Sequence, residues 1–260
     1  MSRGGGSRVG QRDAVAAPIV VAIDGPAGVG KSSVARRLAK RLGLPFVDTG
    51  AMYRCVAWAC LRDGVDRDDE ARVGEVARRL PLRLAVSSAG ETRLELAGRP
   101  VGDEIRTEEV SMATSEVARL PAVRTHLLEL QRDFGRRHGG VLEGRDIGTV
   151  VFPDTPYKFF LDADVGVRAE RRARQQRASG ADVDTDRLRR ELQRRDSQDS
   201  QRETAPLRRD PSYEVVDTGD LDEDEVVERL VQLVRVISRR TAGPSASGAP
   251  TAVGPATSED

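Results

Sequence analysis

Lys31 and Ser32 close the string GPAGVGKSS at residues 25–33, and those residue types at that spacing make a polyphosphate site. Glycine and small residues let the chain wrap so that its amides face inward, a following helix adds the donors of its N-terminus, and an ammonium supplies a compact positive charge. The Ser32 hydroxyl then falls where a magnesium ion between the phosphates would be ligated. The 42 basic residues include only three lysines, Lys31, Lys40 and Lys158. A chain that otherwise writes positive charge as arginine keeps lysine where a point charge fits among phosphates better than a planar fork.

Such a loop needs a buried strand before it and a helix after it. Residues 18–23 are a β-branched run suited to a central parallel strand, and Val34, Leu38 and Leu42 recur at helical spacing. Farther along, the pattern predicts a strand at 44–48 and helices at 51–62 and 68–80. Alternation then takes over at Leu82, Leu84 and Val86, with a turn at 88–90, Leu94 and Leu96 beyond it, and a Gly-Arg-Pro turn before Val101. This reads as a small antiparallel unit inserted in an alternating α/β chain. Helices are expected from Thr107 toward Leu120 and from Pro121 to Phe134, and strands at 140–142 and 157–161. Arginine-rich helices at 168–177 and 185–198 flank a loop at 180–183, and a strand at 214–216 leads to an amphipathic helix at 222–237. The expected fold class is α/β, a central parallel sheet covered by helices on both faces, with ligands at the carboxyl ends of the strands.

Composition narrows the partners. Among 260 residues the 42 basic ones equal the 42 acidic ones, so no general field favours nucleic acid or an anionic membrane, and neither is expected as a partner. Cys55 and Cys60 read as buried thiols of a reducing cytoplasm, in a chain with no secretory segment. His126 and His138 read as helix-surface residues. Residues 1–17 and 241–260 lack periodicity and are expected to be disordered tails around one folded unit at 18–240. The chain contains no asparagine, which excludes the Asn-Lys-x-Asp element that reads guanine, and no Leu-Ser-Gly-Gly signature of a transport ATPase. Arginines at strand ends and in a charged helix pair suit closure around two phosphate-bearing ligands, which points to a small kinase with a mobile lid. Other nucleotide or shikimate kinases, and a module that binds ATP without turnover, are the alternatives.

Four further motifs sharpen this: DTGAMYR at 48–54, GDEIRTEEV at 102–110, EGRDIGTVVFPD at 143–154 and RRDSQDSQRETAPL at 194–207. Together with the phosphate loop they resemble the bacterial cytidylate kinases, P-loop nucleoside monophosphate kinases, over nearly all of residues 18–238. The resemblance implies ATP-dependent phosphorylation of CMP and dCMP with Mg2+, in a monomer with an acceptor-binding insert at about 66–120 and a lid at about 165–205. It implies that Gly25, Pro26, Ala27, Gly28, Val29, Gly30, Lys31, Ser32 and Ser33 hold ATP phosphates. Thr49, Arg54, Arg145 and Arg195 would meet the acceptor and its phosphate, the last two also neutralising transition-state charge. Arg168 is expected against adenine, and Arg171 and Arg172 near the transferring group. Asp199 and Arg202 match the pair that meets the ribose, and Ser115, Arg124 and Asp146 match the base contacts. A cytosine pocket needs an acceptor for the exocyclic amino group, where uracil offers a carbonyl, and Asp146 supplies one. Ser32 and Glu143 are the metal residues; many relatives carry aspartate at the latter position, so Glu143 either orients a metal-bound water or anchors the glycine loop.

Overall fold

The computed structural model describes residues 18–241 except 88–90, 179 and 181. The expected tails, apart from Thr241, and the turn at 88–90 lie outside the described residues.

Five strands form the main sheet: β1 (Val20–Asp24), β2 (Phe46–Asp48), β6 (Gly140–Gly144), β7 (Tyr157–Asp162) and β8 (Glu214–Asp217). Their order is β2-β6-β1-β7-β8, every pairing parallel. The central strand β1 is buried along its whole length, which is why it reads as an unbroken apolar run. Its side chains alternate between two cores. Val21 and Ile23 meet α1 (Lys31–Leu42) and the closing helix α8 (Glu223–Thr241). Val20 and Ala22 face Phe134 of α5 (Pro121–His138) and the π-helical turn Ile147–Val151.

The remaining elements build a second mass beside the sheet. Helices α2 (Thr49–Arg62), α3 (Glu70–Arg79), α4 (Glu108–Val117) and the first half of α5 share an apolar core around Met52, Val56, Val110 and Leu127. The antiparallel strands β3 (Leu82–Val86), β4 (Thr92–Leu96) and β5 (Arg99–Pro100) lie on this core. The expected Gly-Arg-Pro turn is thus partly strand: Gly98 takes φ 76 and Arg99 then pairs with Leu96. Helices α6 (Val165–Ala178) and α7 (Thr185–Gln201) form a hairpin on a small cluster of Ala27, Ala169, Ala173, Leu188 and Leu192.

One polar group lies at the centre of the apolar layers. Asp24 ends β1 with no exposed surface. It accepts the Ile147 and Gly148 amides, each at 2.9 Å, and the Tyr213 hydroxyl at 2.7 Å. Burial pushes its carboxyl up to about 6 from an ordinary 3.8, the three donors opposing the rise. A carboxyl that holds its proton more tightly folded than unfolded adds stability below pH 3.8 and loses it as pH rises through about 6. The amount is about 3 kcal/mol. In denaturant unfolding, the stability difference between the native chain and Asp24→Asn should therefore move by about 2 kcal/mol against the native chain between pH 4 and 7. A difference independent of pH over that range would show that Asp24 does not titrate there.

Candidate active site

The strand β1 delivers the chain to a loop that glycines alone can form. Gly25 sits at φ 151, and a Cβ there would lie 2.2 Å from the Leu161 carbonyl oxygen. Gly30, at φ 93, precedes α1, and no side chain caps that helix or places an acid in its first turn. Its N-terminal amides are left to a ligand, with the helix dipole favouring an anion. Lys31 is buried here and its Nζ donates to the Pro26 carbonyl at 2.6 Å. Ser33 Oγ donates to the Gly30 carbonyl at 3.1 Å.

The loop opens into a cleft of about 1150 Å³ at the carboxyl ends of β1, β2 and β6. That is at the upper end of the roughly 300–1,000 Å³ common for ligand sites, so the cleft is large. Of the residues singled out from sequence, all line it except Gly25, Pro26 and Arg168. The sheet brings Lys31, Thr49, Glu143, Arg145 and Asp146 to one floor, and α2 adds Arg54. Ser115 and Arg124 enter from α4 and α5, and Arg171, Arg172, Arg195 and Asp199 from the hairpin, with Arg202 at its end.

Charge in the cleft is arranged in two groups. Toward α5, Arg124 pairs with Asp146 Oδ2 and also donates to the Ala118 carbonyl at 3.1 Å, while Arg202 lies 3.8 Å from Asp146 Oδ1. Toward the hairpin, Arg145 Nε donates to Asp199 Oδ2 at 2.7 Å. Burial raises the Asp199 carboxyl, but Arg145 and Arg195 outweigh it and hold the group low. Arg54 is oriented by Asp48 at 2.7 Å, and Asp48 also caps α2 through the Ala51 amide. Thr49 turns its hydroxyl back to the Glu143 carbonyl at 2.6 Å.

Cations outnumber their partners near the loop. Burial, then repulsion from Arg145, lowers both Lys31 and Arg195, the latter to about 10. Arg54 Nε, Arg195 Nε and Arg202 Nη2 are buried without a hydrogen-bond partner among the described residues. An anionic ligand would supply the missing acceptors.

The metal residues fit a divalent ion on similar grounds. Glu143 is buried with Oε1 unpartnered, lies opposite Asp48 in the β2–β6 register and adjoins the Ser32 hydroxyl. Burial and the Asp48 charge both push its carboxyl up, a strain that a cation would relieve. No cluster of three or more His, Cys, Asp or Glu suited to a metal occurs among the described residues. A magnesium ion there would take most of its ligands from phosphate and water.

Two arginines depart from the sequence expectation. Arg168 is buried away from the cleft: its Nε donates to the Ala163 carbonyl at 2.9 Å, and Nη1 to the Ala27 carbonyl at 2.8 Å and to Asp196 at 2.7 Å. It braces the phosphate loop from behind and cannot lie on an adenine ring in this arrangement. Arg171 spans to the carbonyls of Thr218, Gly219 and Leu221, fixing the loop between β8 and α8. Four other groups were not singled out from sequence. Asp24 could have been found as a charge ending an apolar run. Tyr53 lies in the DTGAMYR motif, lines the cleft with Arg124 5.6 Å above its ring, and has its hydroxyl pushed up to about 12 by burial. Asp48 opens that same motif. Asp196, whose carboxylate accepts the Ala27 amide at 3.2 Å, lies in the RRDSQDSQRETAPL motif, where no role was read for it.

A family model described as cytidylate kinase matches residues 21–236. A cytidylate kinase of Mycobacterium leprae is 48% identical over 218 residues, covering 84% of this chain and 96% of the relative. One from Syntrophotalea carbinolica is 44% identical over 231 residues, covering 89% and 97%. A bifunctional pantoate ligase/cytidylate kinase of Synechococcus sp. is 44% identical over 228 residues, 87% of this chain. The chain spans 42% of the length of that bifunctional relative.

Because Arg195 is held among like charges, its removal should leave the empty protein as stable as before while weakening anion binding. In thermal unfolding, Arg195→Met should stay within about 4 °C of the native chain or rise above it. The increase in Tm that tripolyphosphate gives the native chain should shrink. A larger loss of Tm without ligand would mean that Arg195 holds the fold.

Proposed function

The chain belongs to the cytidylate kinase family, and on that membership we propose that it transfers the γ-phosphoryl group of ATP to CMP and dCMP, giving CDP and dCDP. The observation that carries this reading to the present residues is the set of buried guanidinium nitrogens without a hydrogen bond on Arg54, Arg195 and Arg202, in one cleft with the Lys31 loop. A site for ATP alone has no use for a second cationic group.

In the proposed reaction, the amides of residues 25–33 and the Lys31 ammonium hold the ATP phosphates. Ser32 and Glu143 would hold magnesium, which would neutralise phosphate charge when bound. Arg54, Arg145 and Arg195 fix the acceptor phosphate, and Arg145, Arg195 and Arg172 offset charge on the group in transit. That phosphate loses its second proton near pH 6, so the nucleophile is already a dianion at neutrality and no general base is required. The residues act by alignment for in-line attack and by preset charge. Asp199 and Arg202 receive the ribose, with Thr49 beside the acceptor. Asp146, oriented by Arg124, accepts the exocyclic amino group of cytosine, and Ser115 completes the base contacts.

The insert at about 66–120 serves as the acceptor-binding unit and residues 165–205 as the lid. The protein is taken to act as a monomer. No helix among the described residues is long and apolar enough to cross a membrane.

With ATP, turnover should be fastest for CMP and dCMP in a panel that includes UMP, AMP and shikimate. Lys31→Ala should lower kcat by at least about 100-fold with the fold retained. Equal rates for all acceptors, or ATP binding without acceptor-dependent ADP release, would sink the assignment. Asp146→Asn should cut the CMP to UMP preference by about tenfold or more, and an unchanged ratio removes Asp146 from base recognition. Hydrogen exchange without ligand should be faster in α6 and α7 than in the sheet and should slow when both nucleotides bind. Uniform protection would argue against a lid.

A further inference from the structure

Asp24 and Tyr213 have no part in the roles above, yet they touch the segment that carries two of them. Residues 145–151 leave β6 without continuing a strand. Arg145 and Asp146 come first, and the π-helical turn Ile147–Val151 follows. The turn is held at both ends by side chains. Asp24 takes the Ile147 and Gly148 amides, and Arg132 donates to the Val150 and Val151 carbonyls at 2.7 and 3.0 Å. Asp146 is the residue before the turn, and its own carbonyl accepts the Val150 and Val151 amides. The pinned turn therefore sets where the Asp146 backbone stands, and Arg124 orients the carboxylate from that position.

Tyr213 fixes the pin. Its hydroxyl reaches the Asp24 Oδ2 that also takes the Gly148 amide, and its ring stands edge-on to Phe160 at 5.9 Å between centroids. A Cβ on Gly148 would lie 2.7 Å from that hydroxyl oxygen, so the glycine is what admits the phenol. The partners are 123 to 189 residues apart in sequence, and the contact joins the end of β1, the acceptor segment and the chain before β8.

We propose that Asp24 and Tyr213 are a positioning pair for acceptor recognition, holding the Ile147–Gly148 amides so that Asp146 and Arg145 meet the base and phosphate in register. The proposal rests on the acceptor reading given above. The pair touches no substrate and acts through the turn, and the ATP loop on the other side of Asp24 is fixed separately by its glycines and by Arg168.

Tyr213→Phe tests this, because it keeps the ring against Phe160 and removes only the hydroxyl. In steady-state assays of the full chain, KM for CMP should rise about five- to tenfold and the CMP to UMP preference should fall, with KM for ATP within about twofold of native. Gly148→Ala should give the same pattern by displacing the phenol, and the double variant should be no worse than the worse single one. Unchanged CMP parameters and preference in Tyr213→Phe overturn the pairing, as does an equal rise in both KM values, which is the mark of a merely structural contact. If the native chain turns over no CMP, the acceptor reading falls and this inference with it. A native preference for CMP that survives Tyr213→Phe sinks the inference alone.

Discussion

A carboxylate with no access to water must be given donors by the protein, and the cost of leaving it short is several kilocalories per mole. Asp24 meets that demand with two amides and a phenol from distant parts of the chain. The elements that must converge to satisfy it are the ones that make the cleft. Strand β1 runs directly into the phosphate loop, the Ile147–Val151 turn follows the two acceptor-side residues, and Tyr213 leads into β8. One buried charge thus ties the end of β1 to the segment that carries Arg145 and Asp146.

The cleft itself opposes folding. Lys31, Arg145 and Arg195 repel one another, and Glu143 is buried beside Asp48. The structure tolerates this because the two large cores lie on either side: the sheet with α1 and α8, and the helical mass of α2 to α5. Stability is supplied by Ile23, Phe159 and Leu230 in one and by Met52, Val56 and Leu127 in the other, away from the chemistry. The α6–α7 hairpin has only a small alanine-rich contact of its own, so it is the part of the site least held by packing.

How much of this was legible in the chain follows from how local each signal is. The phosphate loop is contiguous, and its strand, glycines, lysine and helix declare themselves within about 25 residues. The inserted antiparallel unit was visible because its period changes from helical to alternating at Leu82. Arg54, Arg145, Arg195 and Arg202 stand out by motif and gather in one cleft. Arg168 and Arg171 show the limit. Both sit in an arginine-rich helix where any one guanidinium looks like a ligand for phosphate or base, and only tertiary contacts reveal that their partners are backbone carbonyls. The turn at Ile147–Val151 was hidden for a different reason: β-branched residues there suggest a strand, and Asp24 and Arg132 override that propensity from outside.

Ala27 is gripped from both helices of the hairpin. Its N–H is given to Asp196 of α7 and its carbonyl to Arg168 of α6, so the two peptide planes that meet at the Ala27 Cα are each tied to a different hairpin helix. A rotation about either backbone bond of Ala27 strains one of these two hydrogen bonds. If polyphosphate binding at the loop shifts the hairpin, a shift of the hairpin must change polyphosphate affinity by the same factor. Affinity and posture would then be two readings of one quantity, with the Arg168 and Asp196 side chains as the contacts through which both are set.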